Sequence, residues 1–263
     1  MTMRPDQPQT IGGVLDTTFR LYKASLLQLI PLSLLMTVAA VAPSIYVLMH
    51  ANPADPTAQV HILMSAGYWI TYGVSLIGIM WATGALYLKT HAIGSGEALT
   101  TGSALQKSLT RLPTQIGATI LWSLMVGVGL LLLLVPGLIL MGSLILTFNL
   151  AVIESKGPLD SVVGSHRLIW GHWWRTAAIL TVGIIIVIVL YMVAIMAITL
   201  LAPLFASVGA LMVTMVASIA VGGLMGLLLT PFYISMLIAL YWDLKLRKEG
   251  TDLAARVGAL TAA

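Results

Sequence analysis

Residues 112–153 read LPTQIGATILWSLMVGVGLLLLLVPGLILMGSLILTFNLAVI, a stretch without one charged side chain. About 22 residues (114–135) precede Pro136-Gly137 and about 16 follow. At ~1.5 Å per residue the first part crosses a hydrocarbon core of roughly 30 Å, and the second nearly does. Proline sets φ and glycine accepts the angles of a tight reversal, so the pair predicts a turn. The stretch is expected to be a transmembrane hairpin with spans at about 114–135 and 137–153.

The rest of the chain has the same character. Charged residues make up 8% of it and apolar residues 59%, against about 25% charged in soluble domains. Mean hydropathy is +1.00. A soluble protein could not cover its surface with so few charges, so lipid is the expected solvent. The net charge of +4 does not mark a nucleic-acid interface, because the basic residues lie in short loops between apolar runs. With no cysteine, disulfides, thiolate metal sites and cysteine nucleophiles are excluded. No cleavable signal peptide is expected, since residues 1–9 are polar and read as disordered.

Residues 10–23 place Ile11, Val14, Leu15, Thr18, Phe19 and Tyr22 on one helical face, as in a helix lying on a membrane surface. Similar amphipathic segments are expected at about 96–112 and 158–172. Further spans are expected at about 24–49 (with Pro31 and Pro43 as kinks), 61–88, 176–202 and 206–242. Pro203 marks a turn, and 203–242 reads either as one kinked span or as a span with a re-entrant segment. Pro231 and Gly222-Gly223 would bend the last helix, Gly250 would cap it, and 250–263 would form a flexible tail.

Charge placement decides the count. Six spans put all 13 Lys and Arg on one side and leave only Asp55 on the other. By the positive-inside rule both termini are then cytoplasmic, in a bacterial inner membrane. The fold class expected is an all-α polytopic bundle, six spans as three hairpins within a single domain (10–249), each preceded by a cytoplasmic amphipathic helix. Arg-Leu recurs in the three amphipathic segments at Arg20-Leu21, Arg111-Leu112 and Arg167-Leu168, which suggests a triplicated unit.

Residues 241–253, YWDLKLRKEGTDL, are similar to the ending of a bacterial integral membrane family. It is named for the membrane domain of glycerophosphoryl diester phosphodiesterases and includes standalone YciC-like proteins. Residues 12–23, GGVLDTTFRLYK, resemble the family's opening. The Val-Pro-Gly hairpin and the stretch from Ser165-His166-Arg167-Leu168 to Gly171-His172-Trp173-Trp174-Arg175 fit the same pattern. The resemblance implies a membrane module. It brings no hydrolase activity, because no soluble phosphodiesterase domain is seen after the last span.

No set of residues in the sequence points to catalysis. Gly94-Ser95-Gly96 and Gly164-Ser165-His166 are not nucleophile elbows, and no glycine pair is followed by Lys-Ser/Thr as in a phosphate loop. His50, Asp55 and His61 match no ligand spacing, so no metal or cofactor is expected. His166 and His172 with Trp170, Trp173 and Trp174 read as an interfacial anchor. The candidate interaction face comprises Lys107, Arg111, Arg167, Arg175, Asp243, Lys245, Arg247, Lys248 and Glu249. Candidate helix-packing positions are Ser218, Gly222 and Gly226, spaced as small-xxx-small, and Asn149, placed for an interhelical hydrogen bond.

The function expected is a non-enzymatic scaffold or accessory module, binding lipid headgroups at its cytoplasmic face. Its expected partners are membrane lipids and either a further copy or another membrane protein, with no nucleic acid. The alternative is a carrier or channel for a lipid-like or small neutral solute, which needs no buried charge.

Overall fold

The computed structural model describes residues 2–50, 58–201 and 210–261, and no strand occurs among them. The helices are α1 (Ile11–His50), α2 (Ala58–Leu63), α3 (Ala66–Ser95), α4 (Thr101–Leu132), α5 (Leu134–Ser143), α6 (Thr147–Val152), α7 (Pro158–Ile169), α8 (Trp173–Leu201) and α9 (Ala210–Thr261). Six stretches are long and apolar enough to cross a bilayer: Ile11–His50, Ala66–Ser95, Thr101–Leu132, Leu134–Val152, Trp173–Ala197 and Val216–Lys248. The protein is therefore an all-α, six-span membrane bundle. Asp55 and Pro203 lie outside the described residues.

Of the three interfacial helices expected, only one forms as a separate element. Residues 10–23 are the start of α1, because no helix breaker separates Lys23 from Ala24. Their buried face is Val14, Thr17, Thr18, Leu21 and Ser25, while Phe19 is exposed. The segment packs into the bundle; it does not lie on a surface. Residues 101–112 likewise continue into α4, whose start is fixed by the Thr100 hydroxyl accepting from Ser103 N–H. Only α7 stands apart, because Gly171 at φ 93° breaks the path into α8.

The opening hairpin also turns differently. Helix α4 ends at Leu132, Leu133 alone is extended (φ −160°, ψ 145°), and α5 starts at Leu134, with Pro136 inside its first turn, where a missing N–H costs nothing. Gly137 is needed for space and not for a positive φ. A Cβ there would lie 2.7 Å from Leu130 N, and one at Gly129 would lie 3.0 Å from Gly137 Cα. The fourth span is in two pieces, α5 and α6. At the other end of the chain Gly250 is no cap: α9 runs through it. The first residues, expected to be disordered, are tied to the bundle, with Met3 N–H donating to Gly94 O at 2.7 Å.

Burial is uneven along the spans. In α9, Ile234 and Met236–Leu244 are buried, as are Ala85–Tyr87 of α3 and Leu146 and Leu150 beside them. In α8, Thr176, Ile179 and Leu180 are buried, but Ile184, Ile188, Met192 and Met196 are exposed. In lipid there is no hydrophobic drive for helix association, so close packing collects where small residues and hydrogen bonds allow it. On the α1–α3 side these are Gly78 against Ala39, and the Ser75 hydroxyl donating to Ala39 O.

The small-residue stripe of α9 is shifted from its expected register. Gly222 faces open space and Ser218 is exposed, whereas Gly223 lies against Thr37 of α1, with Gly226 nearby. Asn149 is fully buried and donates to Leu237 O at 3.2 Å, joining α6 to α9.

Gly137→Ala is expected to destabilise the protein by about 1–3 kcal/mol through overpacking against Leu130. Gly222→Ala, where nothing lies within 4 Å, is expected to stay within about 0.5 kcal/mol of wild type. Thermal unfolding in detergent compares the two, and equal losses would contradict the observed crossing.

Candidate functional site

The N-terminal segment and residues 241–247 of α9 meet at one end of the bundle, together with the α3–α4 and α6–α8 connections. The contacts that bring them together are polar. Asp243 of α9 has no exposed surface and accepts three hydrogen bonds: from Gln9 N–H at 2.7 Å, Arg175 Nε at 3.1 Å and Arg247 Nε at 3.0 Å. Both guanidinium groups also donate to the Gln9 carbonyl, each at 2.5 Å. One carboxylate and one backbone carbonyl thus each accept from two arginines whose side chains are 19% and 25% exposed. The arrangement clamps the N-terminal segment, the first turn of α8 and α9 to each other.

A second cluster lies beside it. Glu154, just past α6, accepts from Tyr241 Oη at 2.5 Å and Lys245 Nζ at 2.8 Å on one oxygen, and pairs with Lys156 at 2.8 Å through the other. Ser155, at φ 58°, makes the turn that lets the residues on either side of it reach each other. Burial pushes the Glu154 carboxyl up, but the hydrogen bonds from Lys156, Lys245 and Tyr241 outweigh it and bring it from 4.5 to about 2. His172 is held below the usual imidazole range by burial first and then by Arg247 and Arg175.

Above these pairs runs a groove of about 410 Å³ lined by Lys156, Asp160, Val163, Gly164, Arg167, Leu168 and Lys248. It continues into a recess of about 210 Å³ that adds Leu150, Glu154 and Lys245. Four cations and two carboxylates therefore surround it. Helix α7 forms one wall for local reasons: Pro158 starts it, Asp160 complements its N-terminus, and Arg167 sits in its last turn. Trp170 and Trp174 are 60% and 81% exposed beside it, the placement of interfacial aromatic residues. Trp173 instead donates to Ile139 O at 3.2 Å, holding α8 to α5.

The expected interaction face thus divides. Asp243, Arg175 and Arg247 are structural: Asp243 is buried and cannot present a docking surface. Arg167, Lys245 and Lys248 line the groove. Lys107 is exposed and Arg111 half-buried on α4, and neither is among the groove's lining residues. The Glu249 side chain lies outside the described residues. Sequence reasoning missed Glu154, Lys156 and Asp160, which sat in plain view in a mixed loop, and Gln9, whose backbone contact leaves no trace in residue type. His50 stacks on Tyr46 with ring centroids 4.1 Å apart. Among the described residues no group of three or more His, Asp or Glu has the geometry of a metal site.

Comparison with known proteins adds little beyond membrane character. The chain is 28% identical over 136 residues to a UPF0259 membrane protein of Photorhabdus laumondii subsp. laumondii, a match covering 48% of this chain and 53% of that protein. The chain thus spans about half the length of the curated relative it matches. No family model matches, and no solved structure does.

Two outcomes are expected here. Asp243→Asn leaves two partly buried arginines without a counter-charge and is expected to cost about 3–5 kcal/mol, read as a lowered thermal midpoint in detergent. The Glu154 carboxyl is depressed on folding, so its stabilisation is fully present above its ordinary 4.5 and is lost as the pH falls towards about 2. Glu154→Gln is expected to lack that acid limb, and an unchanged limb in the variant would assign it to other carboxylates.

Proposed function

We propose that this protein is a non-enzymatic module of the bacterial inner membrane, a scaffold or accessory subunit that holds anionic lipid headgroups on its basic face, with both termini cytoplasmic. The observation that carries the reading is the groove between α7 and α9. Lys156, Arg167, Lys245 and Lys248 outnumber Glu154 and Asp160 there, and Trp170 and Trp174 nearby in the chain are exposed, as interfacial aromatic residues are. Cations near an anionic membrane surface contribute about 1 kcal/mol each. Part of the groove's charge is neutralised internally by Glu154, which gives the site a shape as well as a sign.

A second reading, a carrier or channel for a lipid-like or small neutral solute, draws on one separate observation. A partly open cavity lies among the spans, and none of the groove's lysines lines it.

The headgroup reading is tested with the full chain in nanodiscs that contain phosphatidylglycerol or only phosphatidylcholine, with lipid retention measured by native mass spectrometry. Retained phosphatidylglycerol is expected, and Arg167→Glu with Lys248→Glu is expected to reduce it by about fivefold per charge reversed, or more. Purification in native lipid with no retained anionic lipid, no partner and no oligomer would overturn the proposal.

A further inference from the structure

Between α3, α4, the α5–α6 turn and α9 lies a partly open cavity of about 350 Å³. Its walls include Met80, Ile145, Phe148 and Leu237, but also Thr83, Tyr87, Gln115, Trp122, Thr230 and Tyr233. Tyr87 sits two turns inside α3, ~12 Å from its end, and Gln115 lies well within α4. The cavity therefore lies between three helices long and apolar enough to span a membrane.

Tyr87 is 4% exposed and Gln115 2% exposed. Gln115 Nε2 donates to Ser108 O at 3.4 Å, and Gly84 makes room for it, since a Cβ there would lie 2.6 Å from that nitrogen. Among the described residues, no hydrogen bond reaches Gln115 Oε1, the Tyr87 and Tyr233 hydroxyls or Trp122 Nε1. A polar group left unpaired away from water costs about 1–3 kcal/mol or more. Four such groups lining one cavity are a demand for a hydrogen-bonding occupant. No Asp, Glu, Lys, Arg or His lines the cavity, so a charged occupant would be as poorly paired as the empty wall.

We infer that this cavity binds the polar end of an uncharged amphiphile, a hydroxyl or ester carbonyl carried on an apolar tail. The tyrosine hydroxyls and the indole N–H donate to the ligand's oxygen, and Gln115 Oε1 accepts from its hydroxyl. The volume is that of about a dozen waters, enough for a glycerol and its ester groups, with the tails in lipid through the open side. The inference concerns binding alone and does not rest on the headgroup reading.

The full chain in phosphatidylcholine nanodiscs is titrated with radiolabelled 1,2-dioctanoylglycerol, and separately with dioctanoyl-phosphatidylglycerol as the charged counterpart. Saturable binding of one dioctanoylglycerol per chain is expected, weakened at least ~tenfold in the Tyr87→Phe/Tyr233→Phe double variant. Binding is expected to be unchanged in Arg167→Glu/Lys248→Glu, which separates this site from the basic face. Thr230→Leu, which fills the cavity from α9, is expected to abolish binding. The double Phe variant removes only two oxygens, so it reads the site even if the leucine variant fails to fold. Absence of saturable binding, affinity unchanged in the double variant, or equal affinity for the charged probe in the same cavity would each overturn the inference.

Discussion

A carboxylate with no exposed surface, Asp243, holds three distant parts of this chain together. Its partners are a backbone N–H near the start and two arginines, one opening α8 and one a turn further along α9. Taking such charges out of water costs several kcal/mol per ion, which is recovered only when every lone pair and N–H finds a partner. Gln9 adds to the set with both its backbone groups, its carbonyl accepting from both guanidinium groups and its N–H donating to the carboxylate. A bundle whose helices gain little by leaving lipid thus acquires a fixed point at its basic end.

The contrast between the two ends follows from that. Near the basic end Trp242 is buried, with Gly94 spared a Cβ that would lie 2.3 Å from its ring, and Tyr241 and Lys245 converge on Glu154. Toward the other end, long runs of α8 and α5 present Ile, Leu, Val and Met outward. Between these regimes the helices diverge enough to leave a cavity whose polar groups are not matched by protein. The molecule thus has two chemically distinct recesses: a charged groove beside α7 and a cavity without charged lining among the described residues, between α3, α4 and α9.

The sequence carried the large features well. Hydropathy and the one-sided placement of Lys and Arg led to six spans, because length and charge are the two quantities a bilayer reads directly. Helix boundaries were less legible. Residues 10–23 and 101–112 have amphipathic spacing, yet the same spacing suits a helix end packed in a bundle, and no residue between them and the spans interrupts the helix. Pro136-Gly137 signalled a turn three positions late, since a single extended residue, Leu133, sufficed and the glycine was needed for its missing side chain. Asp243 and its neighbours read as part of an interaction face because burial of a charge depends on partners far apart in sequence.

The central claim is that Asp243 fixes the N-terminal segment and the basic end as one unit. Hydrogen exchange in detergent tests it directly, comparing wild type with Asp243→Asn. The account predicts that the amides of Met3 and Gln9 exchange much faster in the variant, while residues 82–87 of α3 keep their protection. Met3 and Gln9 amides that exchange equally in both proteins would show that the segment is held by something else, and would contradict the account.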